Sequence, residues 1–284
     1  MVCMDIGIAM PAIASRDFVL DWARRADSAP FASLALLDRI VYDNPEPLVT
    51  LAVLAGATER IRLQTEVLLA PIRETPLLAK QAATFDRLSG GRFTLGLGIG
   101  GREDDYAAAG FDVHTRGRRF DAQMEQLRAL WSGEPAADDV GPIGPAPLPG
   151  GPEVLFGAFA PAGLARVAKY GDGLLSAGPP SWTGPMYDTV REQWQAAGRA
   201  GQPRFVAQAN AALGEAGATE ARANISRYYG PELGPRMAAS MLDQPEQILD
   251  AIGAFEKLGA DEVILYDWCS DPRQVTEIAA VIGS

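Results

Sequence analysis

Residues 76–106, PLLAKQAATFDRLSGGRFTLGLGIGGREDDY, hold a complete helix–turn–strand–turn–helix unit. Pro76–Leu88 carries apolar residues at helical spacing, Ser89-Gly90-Gly91 stops it, Phe93–Leu97 is a short apolar strand, and Glu103–Ala109 opens a second helix. The same alternation repeats outward. Toward the N-terminus the strands are Asp5–Met10, Ser33–Leu37 and Ile61–Leu69, separated by helices at Arg16–Ala29 and Glu46–Thr58. Toward the C-terminus a helix at Arg116–Trp131 is followed by strands at Glu153–Phe156, Gly173–Ser176, Arg204–Ala211 and Glu262–Tyr266. The later helices are Pro161–Tyr170, Tyr187–Ala197, Thr219–Tyr229, Glu246–Leu258 and Pro272–Ile282, with an irregular piece at 230–242.

Eight strand–helix units within 284 residues predict a single-domain α/β protein, a (β/α)8 TIM barrel, with a doubly wound sheet as the alternative. Prolines 45, 76, 161, 245 and 272 fall at or just before helix starts, where a missing N–H costs nothing. Asn44, Thr75 and Asp271 are the expected N-caps. The Gly/Pro-rich stretch 141–152 is a loop within one domain rather than a linker, because composition does not change across it.

The net charge is −11, from 36 acidic and 25 basic residues. Such a surface disfavours nucleic acid and anionic membranes. No apolar run reaches membrane-spanning length, and the N-terminus lacks a basic leader, so a cytoplasmic location is expected. Cys3 and Cys269, with His114 as the single histidine, offer no metal cluster, and no metal is expected.

In a barrel of this type the chemistry lies at the C-terminal ends of the strands. Four glycines in Leu95–Gly101 end a strand before a helix, and Arg102 stands at its mouth; this is a phosphate cradle or a tight turn with a solvated arginine. The spacing is not that of a dinucleotide fingerprint. Gly157-Ala158-Phe159-Ala160 is a second small-residue turn. Ser176 and Ala177 close the next strand, and Trp182 is placed to cap a planar ligand or close the rim. Asp172 organises a turn at the opposite end. Asp38-Arg39 is an adjacent acid–base pair, for polar substrate atoms or for each other. Glu66 lies within an apolar run, so it is paired, hydrogen-bonded or protonated. His114, in a charged loop, is an acid–base candidate or a solvated histidine. Lys80, Lys169 and Lys257 fall on helices, against a Schiff-base lyase.

From Ala57-Thr58-Glu59-Arg60-Ile61-Arg62-Leu63 through Leu78–Phe93, Leu95–Gly98 and Arg116–Arg119, with further likeness at the fifth strand and Tyr170–Gly173, the chain resembles the bacterial-luciferase-like flavin-dependent oxidoreductases. The resemblance implies a (β/α)8 barrel holding reduced FMN or coenzyme F-420. It implies cofactor contacts at Gly98, Gly100, Gly101 and Arg102 and at Gly157, Ala158, Phe159 and Ala160; Ser176 and Ala177, at the functional end of the next strand, are further cofactor-binding candidates. It places the ring against Glu66 and Val67, with a non-proline cis peptide between those two. It also implies a small-molecule substrate, a separate flavin reductase and a homodimer built partly on the apolar run Leu48–Ala55. Catalytic candidates are Asp38, Arg39, Glu66 and His114. Two departures stand out: Arg39 replaces the histidine common in deazaflavin users, and Ala160 replaces a common serine or threonine. The expected activity is reduced-FMN monooxygenation; the alternatives are F-420-dependent hydride transfer and a non-catalytic flavin-binding barrel.

Overall fold

The computed structural model describes residues 4–13 and 15–283; Cys3 lies outside the described residues. The strands are β1 (Asp5–Ala9), β2 (Ser33–Leu36), β3 (Arg62–Thr65), β4 (Leu68–Leu69), β5 (Phe93–Gly98), β6 (Glu153–Gly157), β7 (Gly173–Ala177), β8 (Arg204–Asn210) and β9 (Glu262–Tyr266). All pair in parallel in the order β3-β2-β1-β9-β8-β7-β6-β5-β4, and β3 also pairs with β5, which closes the barrel. β3 and β4 are two halves of one stave, interrupted at Glu66-Val67, where the peptide bond is cis. The eight staves are therefore those of the expected barrel.

The helices are α1 (Arg16–Ser28), α2 (Pro47–Ala55), α3 (Thr75–Leu88), α4 (Glu103–Ala109), α5 (Arg116–Trp131), α6 (Pro161–Tyr170), α7 (Pro180–Ala196), α8 (Glu215–Ala239), α9 (Pro245–Leu258) and α10 (Arg273–Ile282). Two differ most from the sequence reading. α7 begins seven residues earlier than expected, its first turn entered through Pro180 and its course carrying Pro185. α8 runs through the stretch read as irregular: it kinks at Gly230 (φ 76°, ψ −177°) and resumes at Pro231. Proline is preorganised for a first helical position, so Gly230-Pro231 ends one helix and starts the next.

The caps also differ. Glu46 is the N-cap of α2, its carboxylate accepting from the Val49 N–H at 2.8 Å, whereas Asn44 bonds the Pro45 carbonyl. Thr75 is the first residue of α3, after Glu74 as N-cap. Pro272 is the N-cap of α10, and Asp271 accepts from Arg273 N–H at 2.9 Å.

Register and the two-residue strand period divide the side chains. Leu34, Phe93 and Val263 point outward to the helices and join Val19 and Trp22 of α1 in one large core. Ala35, Leu155, Leu175, Val206, Ile264 and Tyr266 belong to the core inside the barrel. At the N-terminal end the inward positions are polar. Ser33 donates to Glu262, Arg204 bridges Glu262 at 2.7 Å and Glu153 at 2.5 Å, and Thr94 joins Glu153 at 2.9 Å and Arg62 at 2.7 Å. That ring of ion pairs closes the base and leaves the opposite end for chemistry. No helix among the described residues is long and apolar enough to cross a membrane.

Candidate functional site at the mouth of the barrel

Glu66 sits at the break between β3 and β4. It is buried, and neither carboxylate oxygen has a hydrogen-bond partner. Burial pushes its carboxyl well above the ordinary value, and the negative charge of Glu262 adds to the effect. A buried carboxyl with no partner favours its protonated form. The inward face of β9 brings Tyr266 to the same region. Its hydroxyl is likewise buried and unpartnered, and burial together with Glu66 raises it well above 10.0. The Gln64 amide nitrogen, two residues before Glu66 on β3, is a third orphan. Buried polar atoms are paired in nearly all native structures. Three orphans inside one barrel mark a place shaped for the polar edge of a bound molecule.

Around them stand Tyr228 and Tyr229 from the end of α8's first half, and Trp268 just beyond β9. The ring centroids of Tyr228 and Trp268 are 5.0 Å apart, and those of Tyr266 and Trp268 are 5.4 Å apart. Burial lifts the Tyr228 hydroxyl to about 12 and the Tyr229 hydroxyl higher still. The tyrosines thus remain neutral hydrogen-bond donors. The sequence reading missed this aromatic wall. Tyr228-Tyr229-Gly230-Pro231, a tyrosine pair before a breaker, was the available signal.

The glycine turns have a specific packing role. Val67 lies against Gly98 and Gly157, and a β-carbon on Gly157 would come within 2.8 Å of Val67 Cγ1. These two glycines therefore make room for the interrupted stave. Gly100 adopts φ 62°, with Leu69 close beside it, and Gly101 is open to solvent. Arg102 forms a fork with Asp104 at 3.1 and 2.7 Å, and its side chain is 46% exposed. The first turn of α4 carries Glu103, Asp104 and Asp105. Three carboxylates make that turn unfavourable for an anion. The start of α6 is different: Ala158 is buried, Phe159 and Ala160 are exposed, and its first turn holds no acid.

Asp38 and Arg39 are held in separate structural pairs. Asp38 accepts from Leu69 N–H at 2.8 Å and from Arg73 at 2.6 and 3.2 Å. Burial raises its carboxyl and Arg73 opposes the rise. It staples β4 to the end of β2. Arg39 bonds Asp105 at 2.5 Å, with both side chains nearly inaccessible, and the same carboxylate accepts from the N–H groups of Ile40 and Val41. Both side chains are thus tied into the rim of the barrel.

Strand alternation puts Ala177 on the inward face with Leu175, while Ser176 faces the helices. The Ser176 hydroxyl is buried without a partner. His114 is exposed on a 3-10 turn, Val113–Thr115, whose N-cap Asp112 bonds its backbone N–H; it stands outside the buried group. Trp182 lies in the first turns of α7 under the Arg236 guanidinium, at 3.8 Å from its ring centroid. Lys80, Lys169 and Lys257 lie on α3, α6 and α9. No group of three or more metal-ligating side chains occurs among the described residues.

Residues 4–277 match the family model described as luciferase-like monooxygenase. The F420-dependent glucose-6-phosphate dehydrogenase of Kribbella flavida is 28% identical over 206 residues, covering 68% of this chain and 57% of that protein. The 4-hydroxyprotoasukamycin monooxygenase of Streptomyces nodosus subsp. asukaensis is 31% identical over 159 residues, covering 52% and 43%. The mycobacterial relatives are uncharacterized, and the match spans about 60% of their length. The fold superposes on monooxygenase RslO1 from Streptomyces bottropensis with TM-score 0.79 at 23% identity, covering 98% of this chain and 97% of that one. A family match running through nearly the whole chain leads to one conclusion: this protein belongs to the luciferase-like monooxygenase family.

Proposed function

We propose that the chain binds the deazaflavin coenzyme F-420 at the mouth of the barrel and catalyses hydride transfer to a small organic substrate. The observation that carries this reading is the buried carboxyl of Glu66, with neither oxygen partnered, inside the barrel. Hydride transfer to a carbonyl creates an oxygen that needs a proton, and a protonated acid held out of water supplies it. The orphaned atoms of Glu66, Tyr266 and Gln64 fit the polar edge of a planar ring. The acid-free start of α6 suits an anionic tail. When bound, F-420 supplies the two-electron hydride carrier. Glu66 holds the transferable proton, Tyr266 lies beside it as a neutral donor, and the wall of Tyr228, Tyr229 and Trp268 excludes water. The relative from Kribbella flavida supports this choice by its named cofactor.

A second reading is reduced-FMN monooxygenation with a separate reductase, favoured by the Streptomyces nodosus relative. Parallel titrations of the purified protein with F-420 and with FMN decide between them. A shift in the deazaflavin band with micromolar affinity, and F-420-dependent turnover without oxygen, is the expected result. Tight binding of reduced FMN with oxygen consumption, and no response to F-420, replaces it with the second reading.

A further inference from the structure

At the end of the barrel away from Glu66, a cavity of about 460 Å³ opens beside the ring of ion pairs. It is lined by the ring's Arg62, Glu153 and Arg204, by Asp86 of α3, and by Leu148 and Pro149 of the Gly/Pro-rich loop, among others. The connection from α5 to β6, residues 132–152, holds no helix or strand beyond an isolated bridge between Pro135 and Pro142. Even so, three side chains of α3 fasten it in place. Asp86 accepts from the Leu148 N–H at 2.8 Å, Lys80 donates to the Gly144 carbonyl at 2.5 Å, and Arg87 donates to the Ala146 carbonyl at 3.3 Å. A connection this long that is held in one shape is commonly a functional one.

The charges that reach the cavity surface do not balance. The side chains of Arg62 and Arg204 are 36% and 22% exposed, and that of Glu153 is 23% exposed. Asp86 is buried and engaged by Leu148, and Glu262 is buried beneath Arg204. Two accessible cations thus stand against one accessible carboxylate. Glu153 is also heavily used: it accepts from Arg204 at 2.5 Å and from Thr94 at 2.9 Å, and it lies 3.8 Å from Arg62. Arg62 donates through Nη2 alone, to Thr94 at 2.7 Å and to the Phe93 carbonyl at 3.4 Å. Its Nε is buried without an acceptor, and Nη1 meets none among the described residues. An under-paired guanidinium beside open space is matched by an anionic acceptor. Leu148 and Pro149 supply an apolar wall next to it.

We propose that this cavity is a second binding site, separate from the barrel mouth, for a small organic anion with a single carboxylate and a compact apolar body. The carboxylate accepts from Nη1 of Arg62, and the apolar body rests on Leu148 and Pro149. A single charge is the match, because only one accessible cation is in excess. The occupant bridges the α5–β6 connection to the base of the barrel, so binding stabilises the fold.

Calorimetric titration of the purified protein with benzoate, benzyl alcohol and inorganic phosphate tests this. Benzoate is expected to bind with a Kd of millimolar or below and to raise the thermal midpoint. Benzyl alcohol and phosphate are each expected to bind at least tenfold more weakly, the first for want of the charge and the second for want of the apolar body. Arg62→Met removes the acceptor's partner and is expected to weaken benzoate at least tenfold. Leu148→Glu lies on the loop, outside the ring of ion pairs, and is expected to do the same by placing a carboxylate at the wall, so the test stands even if Arg62→Met does not fold. No benzoate binding, equal binding of benzyl alcohol or phosphate, or unchanged benzoate affinity in Leu148→Glu or in folded Arg62→Met overturns the proposal.

Discussion

Val67 occupies the space that a side chain on Gly98 would need. The interrupted stave and the strand beside it are thus interlocked through the absence of one carbon. Gly98→Ala overpacks this contact, with an expected cost of about 1–3 kcal/mol in a denaturant titration. Shortening the opposing residue relieves it: the double variant with Val67→Ala recovers stability relative to the sum of the singles, a coupling read directly from a double-mutant cycle. Strict additivity would show that the two residues do not share the space.

Glu66→Gln removes a buried carboxyl whose folded value lies well above 4.5. The folded protein then holds a proton that the unfolded chain has already lost, so stability is full below pH 4.5 and declines as pH rises toward the folded value. Each unit in that window costs up to about 1.4 kcal/mol. In the cofactor-free protein, the glutamine variant therefore gains on the parent in thermal midpoint as pH rises above 4.5. Turnover of the holoenzyme falls by at least about a hundredfold, the usual scale for losing a positioned acid. Parallel stability curves across that pH range would contradict a neutral Glu66.

Asp38 joins β4 to the end of β2 through Leu69 and Arg73. Replacing it with Asn leaves a mostly buried guanidinium with Glu46 as its remaining acidic partner. The expected loss is about 2–4 kcal/mol, near the range for breaking a buried pair, and chemical denaturation measures it. A loss below about 0.5 kcal/mol would remove the staple role.

Arg102 and Asp104 form an exposed pair. Arg102→Ala is expected to change stability by less than about 0.5 kcal/mol and to leave cofactor affinity within about twofold. Ala160→Asp has the opposite pattern. As a better N-cap for α6 it adds about 0.5–1 kcal/mol, while its charge repels an anionic tail and weakens cofactor binding by about tenfold. Fluorescence titration of both variants locates the tail: a large loss in Arg102→Ala would move it to the β5 turn.

Val49 and Val53 are 65% and 52% exposed on α2, a helix whose other face is buried. A helix apolar on both sides has a second surface to cover. We expect a homodimer in light scattering and a monomer after Val49→Glu with Val53→Glu. A parent that is monomeric at working concentration ends that expectation.

The barrel was legible because its signals are local. Helix periodicity returns with each strand–helix unit, proline marks five of the helix starts, and each signal is visible within a dozen residues. The stretches that carry the family resemblance are legible for a structural reason too. Arg60 donates to the carbonyls of Asp27, Ala29 and Phe31, and Arg92 to those of Ala55, Thr58, Ile61 and Ser89. These arginines tie the turns at the closed end and say little about substrate. At the open end, Glu66 was readable as a carboxylate in an apolar run. The commitments of Asp38 to Arg73 and of Arg39 to Asp105 were not, because their partners lie 35 and 66 residues away. The aromatic wall was hidden for the same reason: Tyr42, Tyr228 and Trp268 come from three distant segments.

The kinked helix has a practical consequence for redesign. α8 supplies Arg227, Tyr228, Tyr229 and Leu233 in one contiguous stretch between β8 and α9, while the ring of ion pairs at the far end draws on none of it. Exchanging residues 215–239 for the equivalent stretch of another barrel would replace that aromatic wall while leaving the ring of ion pairs in place, provided the buried Ala218, Ala221, Ile225, Met237 and Ala238 are kept.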